Sequence, residues 1–230
     1  MRTALRSTMR LGMRGMLGMM GLLGLMGFTG CSLTGAASPQ SPAYYVIQDL
    51  RPAQATPPRP AGIVLMLGGS SAAALHDSDR MVFTRDGQAF GYYQFAHWSE
   101  RPGKRLAALV EQRLAASGRF GAVVQSIAGV RGDWLLQLRL DELTHDDRAA
   151  PGAVSLRVSA ELIDWRNRTL LGRQTFEQRV DVPSRDARGA AQAASEASTR
   201  MLDAIDTWVG GMVSAASGSR TGAGPVPLSR

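Results

Sequence analysis

The chain has 230 residues, with 26 Lys and Arg against 19 Asp and Glu, a formal charge of +7 and a single cysteine. One cysteine closes no internal disulfide, and the length suits one domain with a sizeable core, so the fold must rest on apolar burial. Lys104 is the only lysine beside 25 arginines, and no arginine-rich run is interleaved with aromatics, which argues against a nucleic-acid surface.

Residues 1–30 read as a signal peptide. Arg2, Arg6, Arg10 and Arg14 form a charged head, and the apolar run that follows, GMLGMMGLLGLMGF from Gly15 to Phe28, has fourteen residues, fewer than the ~20 that span a bilayer. The leader holds four of the basic and none of the acidic residues, leaving 22 basic against 19 acidic, a net +3. The order FTGC resembles the lipobox of bacterial lipoproteins, in which cleavage makes the cysteine, here Cys31, the first residue and its thiol carries a diacylglycerol. Each buried methylene contributes ~0.8 kcal/mol, so several acyl chains on Cys31 make a durable anchor. Residues 31–43 then form the lipidated cysteine and a tether, SLTGAASPQSPA, too polar and small to pack. At ~3.3 Å per residue it reaches about 40 Å.

Residues 44–213 are expected to fold as one domain. Tyr44 to Leu50 and Gly62 to Leu67 read as strands, the second apolar on both faces and so buried from both sides. MVFTRDGQAFGYYQF offers two β-prone pieces around Asp86 and Gly87, a pair suited to a tight hairpin. A helix is expected from Arg101 to Ser117, with Leu106, Leu109, Val110 and Leu114 on its apolar stripe, Arg105, Glu111, Gln112 and Arg113 on its polar face, and Gly118 to end it. After FGAVV come three longer strands, DWLLQLRLDEL, AVSLRVSAELIDW and TLLGRQTFEQRVDV, the first two alternating apolar with polar and the last two joined by a turn at Arg166, Asn167 and Arg168 into an antiparallel hairpin with an outer face rich in Arg and Glu. Pro183 and Ser184 are expected to start a second helix that ends at Gly210 and Gly211. Residues 214–230, rich in Gly, Ser and Pro, read as a disordered tail. The fold class is therefore α/β: a mixed, mostly antiparallel sheet packed by two helices on one face.

Chemistry-bearing patterns are sparse. His76, His97 and His145 lie far apart with no second ligand at metal spacing, and GGSS at Gly68 to Ser71 lacks both a nucleophile elbow and a phosphate-loop lysine. Asp141, Glu142, Asp146 and Asp147 cluster without the ordered spacing of a calcium loop. No catalytic set, metal site or cofactor is expected. One stretch stands out: Tyr92, Tyr93, Phe95 and Trp98, with His97 among them, gather aromatics in a chain where they are few. They read either as core where a strand turns into the helix, or as a contact surface for a protein partner or an acyl chain.

The Tyr-Tyr opening after the tether, then MVFTR from Met81 to Arg85, AHWSERP from Ala96 to Pro102, the helix ending in SGRF and the strand WLLQLRL, together resemble the ABC-type transport auxiliary lipoproteins of Pqi-like MCE transport systems. The family pattern has arginine where His97 stands and alanine where Ser99 stands. The resemblance implies a non-catalytic subunit working with an MCE-domain protein and an inner-membrane ABC permease and ATPase that move phospholipid or other apolar solutes. Ser32 after Cys31 is not the aspartate that commonly retains lipoproteins in the inner membrane, which implies the periplasmic leaflet of the outer membrane. The alternative is a structural or pilot lipoprotein that helps assemble another envelope complex. Homo-oligomerisation stays open, since the charged outer sheet face either pairs between subunits or meets water.

Overall fold

The computed structural model describes residues 41–51, 62–126 and 131–221. The expected signal peptide, Cys31 and most of the tether lie outside them. In chain order the elements are β1 (Ala43–Tyr45), β2 (Val64–Leu67), β3 (Ser71–Ala72), a 3-10 turn (Ala74–His76), β4 (Arg80–Thr84), β5 (Phe90–Trp98), α1 (Pro102–Ala116), β6 (Ala122–Gln125), β7 (Trp134–Asp146), β8 (Ala153–Asp164), β9 (Thr169–Asp181) and α2 (Ala187–Thr221).

β7 is the spine of a curled mixed sheet. One edge pairs antiparallel with β8 along its length, from Trp134 opposite Asp164 to Asp146 opposite Ala153, and β9 continues the meander. The other edge is shared in turn by β2, β3 and β4, all parallel to β7. β6 adds to β2, β5 to β4 and β1 to β5. The long ladders are antiparallel, as the alternating strands and their turns require, while the shorter pairings on the far edge of β7 are parallel. Trp134, Leu136, Leu138 and Leu140 face the core. A bulge between Leu140 and Glu142 shifts the phase, so Leu143 continues the inner row while Glu142, Thr144 and Asp146 turn to the outer face.

Both helices cover the inner face. Leu106 and Val110 of α1, Met201 of α2, and Leu138, Leu140 and Val158 of the sheet meet around one point. α1 stops where expected, with Gly118 at φ 65°, a left-handed conformation that glycine adopts without strain. α2 departs from expectation at both ends. Its first turn begins after Asp186, whose Oδ1 accepts a hydrogen bond from the Gly189 N–H at 2.7 Å, because a carboxylate satisfies an orphan N–H that Pro183 and Ser184 leave open. It also runs through Gly210 and Gly211 to Thr221. Burial of Val209 and Val213 holds that turn in the helix against the glycines' weak propensity. Residues 214–221, expected in the tail, are therefore helical, and the rest of the expected tail, 222–230, lies outside the described residues.

The segment after β1 also differs: only Ala43–Tyr45 is strand, and residues 47–51 are strapped between the helices. The Gln48 N–H donates to Ser195 Oγ, the Leu50 N–H to Thr199 Oγ1, and Arg105 Nε to the Ile47 carbonyl. Arg113, expected on the polar face of α1, has a side chain only 8% exposed. Its guanidinium donates to both carboxylate oxygens of Asp49 at 2.6 and 2.7 Å, to Asp203 at 2.5 Å and to the Arg51 carbonyl. The strap, absent from the helix considered alone, converts a polar face into an interior one.

Candidate functional site

The aromatic segment lies on β5, and a backbone irregularity divides it. Arg80 pairs with His97 but Val82 with Tyr92, so two steps along β4 span five along β5. This bulge resets the alternation, and Ala96 and Trp98 end inside the core, at 5% exposure each. Tyr93 packs against the core's margin. Tyr92 turns outward beneath Arg80, whose guanidinium carbon stands 3.8 Å from the ring centroid. Phe95 remains 42% exposed. His97 sits half-buried, with Nδ1 3.8 Å from an Asp79 carboxylate oxygen and its ring 5.7 Å from that of Tyr44. Tyr44 lies on β1, the outermost strand on that side among the described residues, and is 63% exposed. Of the five aromatic-segment residues, Phe95 is thus exposed, as is Tyr44 on β1, Tyr92 and His97 are half-buried, Trp98 is core and Tyr93 bridges core and surface.

Tyr93 and His145 are brought together across 52 positions: the hydroxyl and Nδ1 are hydrogen-bonded at 2.6 Å and the rings are parallel. His145 is 3% exposed, and its Nε2 has no partner among the described residues. Burial pushes the His145 pKa below its ordinary value and raises that of Tyr93 to about 12, helped by the charges of Asp147 and Asp186. A histidine sealed in this way is a structural partner and not a base poised toward solvent.

The outer face of β7, β8 and β9 forms a cleft of about 420 Å³, rimmed by Thr84, Gly87 and Phe90 of the β4–β5 hairpin. The acidic residues read from the sequence as a cluster do not converge here on one point. Asp146 accepts from Arg148 Nε and Nη2 at 2.8 and 2.7 Å and from Arg179 Nη2 at 3.0 Å, and these guanidiniums, Arg148 first, hold its carboxyl far below the usual carboxylate range. Asp147 pairs with Arg185, Asp141 with Ser159, and Glu142 with Arg157. Among the described residues no three His, Cys, Asp or Glu side chains are grouped to hold a metal ion, and no helix is long and apolar enough to cross a membrane. Sequence reasoning missed this cleft because its members come from five strands and the turns after β4 and β7. Their outward alternation was visible, but their register was not.

The model of the family described as ABC-type transport auxiliary lipoprotein component matches residues 45–206. The chain belongs to that family. The matched span runs from Tyr45, the last residue of β1, into α2 and so takes in strands β2 to β9 and the cleft. Among solved structures, the chain is similar to protein XCC0632 from Xanthomonas campestris, of the DUF330 family, at 21% identity and a TM-score of 0.66 over 77% of this chain and 99% of that one. It is also similar to an uncharacterized protein at 12% identity and a TM-score of 0.57, over 74% and 99% of the two chains. At such identities the likeness concerns the fold, a single α/β domain with a curled mixed sheet and two helices. No curated protein matches the sequence.

Proposed function

We propose that this auxiliary lipoprotein is held on the periplasmic leaflet of the outer membrane by acyl chains on Cys31 and acts there as a non-catalytic docking subunit for an MCE-domain protein and an inner-membrane ABC permease and ATPase that move phospholipid or other apolar solutes. The observation that carries this reading is the family match over residues 45–206 joined to the FTGC sequence at Cys31 and the packing-poor tether behind it. The contact surface is the β1–β5 edge, where Tyr44 and Phe95 keep aromatic area exposed next to the half-buried Tyr92 and His97, and where β1 is the outermost strand among the described residues.

Affinity purification from membranes, with identification of partners and extracted lipids, tests the assignment. The expected result is recovery of an MCE-domain protein and an ABC permease with the native chain, and loss of palmitate labelling together with release into the soluble periplasm for Cys31→Ala. Persistent labelling of Cys31→Ala refutes the anchor. Recovery of a secretin in place of the transporter supports the pilot alternative.

A further inference from the structure

The register of β7, β8 and β9 sorts the charges of the outer-face cleft into two halves. In one row Glu142 stands opposite Arg157 and Arg157 opposite Glu177. Arg157 donates from Nε to Glu177 at 2.8 Å, and its Nη2 lies 3.4 Å from Glu142, so one cation is divided between two carboxylates and the row is left negative. In the next row Thr144 stands opposite Ser155 and Ser155 opposite Arg179. There Arg179 and Arg148 are divided over the single carboxylate of Asp146, and the half is left positive. Adjacent rows on one face are two residues apart, about 7 Å along the strand. The six charged residues of the lining cancel, so the cleft as a whole favours neither a lone anion nor a lone cation.

Three further features belong to a binding site more than to a solvated sheet face. Thr144 is 2% exposed in the floor, and its hydroxyl has no partner among the described residues, a state that polar groups in protein interiors rarely keep. Gly87 has φ 80°, and a Cβ there would meet Arg148 Nη1 at 2.9 Å, so the hairpin turn leaves the space that the Arg148 guanidinium occupies. Phe90, 47% exposed, provides an apolar lip, and the cleft volume lies in the range of small-ligand sites.

We infer that this cleft binds a zwitterion: a small molecule with an ammonium group held on the open side of the row by the carboxylates of Glu142 and Glu177, which Arg157 between them leaves one charge short, and a phosphate or carboxylate seated against Arg148 and Arg179. The spare N–H groups of the two guanidiniums match planar and tetrahedral oxyanions alike, and the ligand's two charges complete the two unbalanced rows together. This inference stands independently of the anchor and of the transporter partners.

Isothermal titration calorimetry on the full-length chain in dodecyl maltoside at low salt tests it with O-phosphoethanolamine and 4-aminobutyrate as zwitterions and with inorganic phosphate and ethanolamine as the separate halves. At least one zwitterion is expected to bind about tenfold or more tightly than either half, and Glu177→Gln and Arg179→Gln each to lower that affinity by about tenfold, the effect of one charge-assisted hydrogen bond. The tighter of the two zwitterions identifies the anionic group. Amide shift perturbations at Gly87, Thr144 and Ser155 in the unsubstituted protein provide a second readout that needs no variant. Binding of phosphate or ethanolamine as tight as that of both zwitterions, or neither heat nor shifts with either zwitterion at millimolar concentration, overturns the inference.

Discussion

Arg113→Ala is the sharpest test of how the chain's beginning is held to its two helices. The Arg113 and Asp49 side chains are 8% and 10% exposed, and Arg113 Nε, at 3.0 Å, joins the two Nη2 contacts on the Asp49 carboxylate. Removing the guanidinium leaves Asp49 as an uncompensated buried charge, which costs about 3–5 kcal/mol. Asp203 adds little, because it is 43% exposed and keeps Arg51 at 3.1 Å, a pair worth less than about 1 kcal/mol. For a domain of this size each kcal/mol moves Tm by about 2–4 °C, so a fall of roughly 6–20 °C is expected. Urea unfolding and thermal melts of Arg113→Ala, set beside the double variant Arg113→Met/Asp49→Leu, measure it. The apolar pair should recover most of the loss, since desolvation of both charges is then avoided. A single-variant loss below about 1 kcal/mol, or a double variant no more stable than the single, would refute the reasoning.

Acid sensitivity should come from buried histidines. The folded-state pKa of His145 lies below its unfolded value of 6.5 because of burial, and that of His76 is lowered in the same way; above pH 6.5 both states are neutral and the cost vanishes, while below it the unfolded chain takes up protons that the folded one does not. Unfolding free energy should therefore fall by up to about 1.4 kcal/mol per pH unit for each histidine between pH 6.5 and 5, with a shallower slope for His145→Gln, and a flat profile contradicts the assignment. Asp186→Ala should cost about 1 kcal/mol by equilibrium unfolding through loss of the α2 cap, and an unchanged midpoint would place the helix start elsewhere. Trp98→Ala should cost about 3–5 kcal/mol as a core truncation, whereas Phe95→Ala should stay within about 0.5 kcal/mol and weaken recovery of partners from membranes. Equal melting of both variants would reverse their roles as core and surface.

Much of the architecture was legible because the long strands carry a period that only a half-buried sheet explains. Trp134, Leu136, Leu138 and Leu140 against Gln137 and Arg139 assign both faces of β7 without any tertiary knowledge, and the Asp86–Gly87 and Arg166–Arg168 turns follow from their residue types. The candidate site was legible only in part. Four aromatics in seven residues marked β5 as unusual, yet which of them reach solvent depends on a bulge opposite Met81 that leaves no mark in composition or spacing. Gly210 and Gly211 misled for a related reason: glycine ends a helix only where the chain beyond is free to turn away, and Val213 is tied to the core.

The sequence by itself determined the α/β class, the two helical stripes and the family, since each is written in residue type and local period. Only the tertiary structure decided that Arg113 is interior, that Tyr93 and His145 share a hydrogen bond, and that Glu142, Arg157 and Glu177 form one row beside Thr144, Ser155 and Arg179. Those facts depend on strand register and on segments far apart in the chain, and local alternation specifies which face a side chain takes but not which neighbour it meets there.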